Sequence, residues 1–154
     1  MYNHDYSQTT VPKHSSVLKL SLQATWHCLI GCGLGEIAGM ILSAAFNLSM
    51  STTIIISVVF GFIGGLGLGI LPLLKDNFTF SNALKIVIVS EGLSILVMEA
   101  FEIGTQVYIP GVMEAGLADS IFWIGMVAGL VVGFIAALPV NYVLIKRGVR
   151  HHHH

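Results

Sequence analysis

Residues Thr52–Leu74 read TTIIISVVFGFIGGLGLGILPLL, an apolar run without a charged side chain. It exceeds the roughly 20 residues a helix needs to cross the hydrocarbon core of a bilayer. Without water to satisfy the backbone, such a run is expected to be helical. Three more runs of this kind surround it, at Ala24–Asn47, Asn82–Ile109 and Ala118–Ile145. They are continuous rather than alternating, which argues against a β-barrel. The expected fold class is an all-α membrane protein, a compact four-helix transmembrane bundle.

Composition agrees. The 154 residues have a mean hydropathy of +0.84 and only 10% charged side chains, against roughly 25% in an ordinary soluble domain. The runs take up most of the chain, so residues 17–150 are expected to form the transmembrane domain. Residues 1–16 read as a polar, disordered tail, and no signal peptide is expected there. His151–His154 read as a purification-tag remnant, with a native histidine cluster as the alternative.

The basic residues fall in three places. Lys13 and Lys19 precede the first run, Lys75 and Lys85 lie between the second and third, and Lys146, Arg147 and Arg150 follow the fourth. The connection between runs three and four carries Glu114 and Asp119 instead. The positive-inside rule predicts a multi-pass protein of the cell membrane with both termini in the cytoplasm. An even number of spans requires the same.

Glycines recur every four residues: Gly31, Gly35 and Gly39; Gly61, Gly65 and Gly69; Gly125, Gly129 and Gly133. This small-xxx-small spacing lets helix backbones approach closely. The third run has few glycines and most of the acids. Pro139 removes a hydrogen bond inside the fourth run and predicts a kink; Asn141 lies close enough to satisfy the disturbed turn. Pro72 reads as the end of run two.

The stretch Thr25–Glu36, TWHCLIGCGLGE, places His27, Cys28, Cys32 and Glu36 at the start of an apolar helix. Cys28, Cys32 and Glu36 share one face, four residues apart. The third run adds Glu91, Met98, Glu99 and Glu102. At 100° per residue, Glu91, Met98 and Glu102 lie within roughly 40° of one another, with Glu99 at the edge of that face. Glu36 and Glu99 are the deepest; Glu91 and Glu102 lie nearer the interfaces and are expected to be partly hydrated.

An ionised side chain at the centre of a span costs roughly 2.5–3.5 kcal/mol on the insertion scale. No Lys or Arg lies in the core of any run, so these carboxyls must be protonated, hydrated, hydrogen-bonded, or balanced by a cation. Two of them could share one proton. Glu36, Glu91, Glu99 and Glu102 are therefore the candidate ion- or proton-binding residues.

Cys28, Cys32, His27, Met98 and Met126 are soft or borderline ligands, which would favour a copper-like ion, Cu(I), as the one cofactor, with Zn(II) as the alternative. The plain reading is that the thiols and thioethers fill space. His27 points roughly 100° away from Cys28 and suits the interface beside Trp26. An i,i+4 disulfide is not expected.

The chain also lacks a Walker loop, HExxH, GxSxG and a dinucleotide fingerprint. It carries no nucleic-acid signature, and its net charge is −1. Enzyme chemistry is not expected; Cys28 beside His27 is the only nucleophile–base pair, and adjacent helical residues point apart. The functional expectation is a multi-pass protein that binds or moves a cation, a copper-like ion or a proton. The alternative is a non-catalytic accessory subunit of a larger membrane complex, docked through its glycine faces. The bilayer is the expected partner, with a homo-oligomer or that larger complex beside it.

Three segments together resemble the uncharacterised membrane family called domain of unknown function 4396. They are His27–Glu36 (HCLIGCGLGE), Ser94–Glu99 (SILVME), and Leu138–Tyr142 (LPVNY) running into Lys146-Arg147-Gly148. The resemblance covers nearly all of the chain after the polar tail. It implies a multi-helix membrane protein and supplies no activity. The family often has Asp where Glu91 stands and more methionine in the fourth span, where only Met126 remains here.

Overall fold

A computed structural model describes residues 14–147; the first 13 residues of the expected tail and the histidine end lie outside them. Four helices follow one another: α1 (His14–Ala45), α2 (Met50–Lys75), α3 (Phe80–Tyr108) and α4 (Ser120–Lys146). The first begins well before the apolar run at Ala24, with Val17 and Ser21 already buried. Helices α1, α2 and α4 are long and apolar enough to cross a membrane. Helix α3 is of similar length, but Lys85, Glu91, Glu99 and Glu102 make it less apolar.

Two short turns share one design. After α1, Asn47 takes φ 49°, and after α2, Asn77 takes φ 64°. Asn tolerates this left-handed geometry better than most residues. Leu48 N–H then reaches Ser43 O at 3.0 Å, and Phe78 N–H reaches Leu73 O at 3.1 Å. These bonds close each helix end. Ser49 caps the start of α2 with its side chain.

The helices run up and down. Each packs against its neighbours in sequence, α4 closes back on α1, and α1 also meets α3 across the centre; the backbones of α2 and α4 stay apart. The α1–α2 seam is backbone on backbone, as the glycine spacing predicts. A Cβ at Gly31 would lie 2.8 Å from Gly64 O, and one at Gly39 would lie 2.8 Å from Ser57 Cα. At Gly35 it would run into the Phe60 carbonyl.

The core on the α2–α3 turn side of the acids holds Cys28, Cys32, Ile95, Met98 and Ala137. The outward faces are apolar along all four helices, for example at Leu34, Ile63, Val89, Leu96 and Ile135. Pro139 lies inside α4 without ending it, and Pro72 lies three residues before the end of α2.

Candidate functional site

The stripe on α1 faces inward from end to end. Ser21, Thr25, Cys28, Cys32, Glu36 and Ser43 are all buried. Ser21 Oγ donates to Val17 O at 2.7 Å, Thr25 Oγ1 to Ser21 O at 2.7 Å, and Ser43 Oγ to Gly39 O at 2.9 Å. Bonding to the carbonyl one turn back is how hydroxyls settle inside a helix. Thr25 Oγ1 also accepts from Asn141 Nδ2 at 2.8 Å. Asn141 thus ties α4 to α1 as well as sitting beside the proline turn.

Three carboxyls meet in the other half of the bundle. Glu36 is 4% exposed, Glu99 2% and Glu102 0%. Glu36 and Glu99 converge over Gly61 of α2: a Cβ there would lie 3.2 Å from Glu36 Cγ and 3.2 Å from Glu99 Cδ. Glu102 lies over Gly129 of α4, whose Cβ would be 3.0 Å from Glu102 Cγ. Glu36 interacts with both Glu99 and Glu102, and Cys32 faces Glu99. The glycines therefore do more than bring helices together, because they make room for the acids.

The electrostatics are unusual in what is missing. Apart from the neighbouring acids and the Cys32 thiol, no hydrogen-bond donor reaches either oxygen of Glu99, or Glu102 Oε2. Gln106 Nε2 makes one long contact, 3.5 Å, to Glu102 Oε1. The groups that act on Glu99 and Glu102 are the other two acids and Cys32. An ionised carboxylate only accepts, so two of them cannot satisfy each other until a proton or a cation lies between them.

The expected set is brought together only in part. Glu99 is buried inside the cluster beside Glu36, not at the edge of a face. The reason is that α3 packs against α2, α4 and α1 at once, which widens its buried side. Glu102 is fully enclosed, against the expected partial hydration, because Gly129 lets it sink into α4. Glu91 stands apart and half-buried, over Gly69 two turns down α2.

The metal expectation finds no support. Among the described residues no group of three or more His, Cys, Asp or Glu side chains is placed to hold a metal ion. His27 is exposed, turned off the stripe by the 100° step that separates it from Cys28. Both thiols are free, with Sγ atoms 3.9 Å apart, and pack with Met98 as part of the core. Met126 is buried but does not belong to that cluster. A copper-like cofactor thus has no assembled ligand set of this kind.

Sequence reading missed a cavity of about 320 Å³. It lies toward the α1–α2 and α3–α4 connections. Glu36, Ser57 and Gln106 line it, with Thr53, Met40, Met50, Met113 and Glu114. Ser57 is buried on the same face of α2 as Gly61, and its hydroxyl has no hydrogen-bond partner. A serine within an isoleucine–valine run was the available signal.

The model of the family described as "Domain of unknown function (DUF4396)" matches residues 19–150. The chain belongs to that family. The match covers all four helices of this DUF4396 protein apart from the first residues of α1. No curated protein and no solved structure matches the chain.

Proposed function

We propose that this DUF4396 protein is a four-span membrane protein that handles a cation, first of all a proton, at Glu36, Glu99 and Glu102. One observation carries the reading: both oxygens of Glu99 are buried with nothing beside them but another acid, Glu36, and the Cys32 thiol. Leaving such groups unsatisfied is costly, and a shared proton removes the cost.

The outward face of α3 supports its place as the fourth span. Ile86, Val89, Leu93, Leu96 and Phe101 are exposed there while Glu99 and Glu102 turn inward. Intramembrane acids that face the bundle interior are the usual mark of an ion or proton path. The up-and-down order puts Lys19, Lys75, Lys85, Lys146 and Arg147 at one end and Glu114 and Asp119 at the other. On the positive-inside rule the first end is cytoplasmic, in the cell membrane.

The accessory-subunit alternative receives less support. Gly31, Gly35, Gly39, Gly61 and Gly65 all have close neighbours within the chain, so they offer no free docking face. Glu99 and Glu102 are enclosed beyond the reach of a partner's basic groups.

Infrared spectroscopy of the purified protein tests the proposal through the C=O stretch of a protonated carboxyl. The expected result is such a band at neutral pH, displaced in D2O and lost in Glu99→Gln. A spectrum with no protonated-carboxyl band in the wild-type protein would overturn it.

A further inference from the structure

The cavity reaches Glu36 of the acid cluster from the end of the bundle that carries the α1–α2 and α3–α4 connections. Its floor combines two features that arise independently. One is Glu36, at the junction with Glu99 and Glu102. The other is Ser57, 9% exposed, which lines the same space and whose hydroxyl has no partner. A buried hydroxyl with nothing to bond is rare and calls for a ligand or water. The volume, about 320 Å³, accommodates several waters at roughly 30 Å³ each. A hydrated ion can therefore reach the floor.

We propose that the floor of this cavity, Glu36 with Ser57, is a binding site for a small hard monovalent cation of the Na⁺ type, loaded from the side of the α1–α2 and α3–α4 connections. This rests on the reading of Glu36 as an ion-handling residue and names the ion class and the side. Carboxylate and hydroxyl oxygens are hard ligands, which suit alkali and alkaline-earth ions rather than soft metals. A single carboxylate paired with a monovalent ion is neutral overall, and neutrality matters where water is scarce. Glu114 at the mouth adds a negative charge that draws cations toward the opening. Loading is then an exchange: the cation takes the place of the proton at Glu36, and the proton leaves to water in the cavity. Gln106 lies between the floor and Glu102, since it lines the cavity and contacts Glu102.

The test is carbodiimide labelling of Glu36 in the full-length protein in detergent, read by mass spectrometry at fixed pH. The reagent attacks protonated carboxyls, so an ion that displaces the proton slows it. With Na⁺ at ten times its dissociation constant, labelling should slow about tenfold, because the free fraction falls by that factor. The same K⁺ concentration should slow it far less.

Ser57→Ala should lose the Na⁺ protection yet label normally. Ser94→Ala is the control: Ser94 Oγ is also buried and unpartnered, but it does not line the cavity, so protection should persist. Normal labelling with no Na⁺ protection at any concentration would overturn this inference and leave the proton reading standing. Protection by Ag⁺ and not by Na⁺ would overturn it in favour of the thioethers of Met40, Met50 and Met113. Failure of Glu36 to label at all would count against both readings.

Discussion

On the α2–α3 turn side of the bundle, Ser21, Thr25 and Asn141 are fully buried, and each has a hydrogen bond of 2.7 or 2.8 Å. On the opposite side Glu99, Glu102 and Ser57 are just as enclosed, yet four of their oxygens have no partner. Between the two lie the thiols, Ile95, Met98 and Ala137. The same bilayer surrounds both halves, so the medium does not account for the difference. Paired polar groups serve architecture. Unpaired carboxyls facing one another point to something that comes and goes, whereas Asn141 is already satisfied by Thr25.

The largest effect is expected at the seam that holds both halves together. Gly35→Ala drives a methyl group into the Phe60 carbonyl. It should destabilise the protein by about 3 kcal/mol, the upper end of overpacking costs. Thermal unfolding in detergent is the measurement, and an unchanged melting temperature would contradict the close α1–α2 approach.

Within the paired half, Asn141→Ala should cost about 1 kcal/mol, typical of a hydrogen bond between membrane helices. A double-mutant cycle with Thr25→Val isolates the bond, and zero coupling energy would remove it from the account.

The unpaired half should respond with the opposite sign. Glu99→Gln keeps the shape and gives Glu36 a donor. It should leave stability unchanged or raise it by up to about 1 kcal/mol, while removing the infrared carboxyl band. A large loss of stability would show that Glu99 is structural. The smallest effect is expected at Gly67, where an added methyl meets nothing within 4 Å. Gly67→Ala should change stability by less than about 1 kcal/mol, favourably if helix propensity decides.

Much of this was legible in the chain. Apolar runs locate helices because length against bilayer thickness is a one-dimensional constraint. The four-residue glycine spacing announces the α1–α2 seam for the same kind of reason, since one periodicity fixes one face. The acids of α3 were visible as a cost, but their centre was not. Glu99 appeared peripheral because an angular count on one helix does not know that three neighbours surround it. Glu102 appeared hydrated because depth along a helix says nothing about a glycine opposite. Ser57 and Gln106 went unnoticed because their cavity depends on where the 109–119 connection lies. There Val112 is buried against Gly125, and Trp123 Nε1 donates to Leu117 O at 2.9 Å.

The backbone-on-backbone seam between α1 and α2 also bears on biogenesis. These two helices leave the ribosome before α3, and their contact needs no polar partner, so they can pair in the membrane as a hairpin ahead of it. The groove they present then holds Glu36 beside Gly61. A nascent α3, which the translocon would release into lipid at some expense because of its acids, has a ready place to hide Glu99, and α4 then follows to cover Glu102.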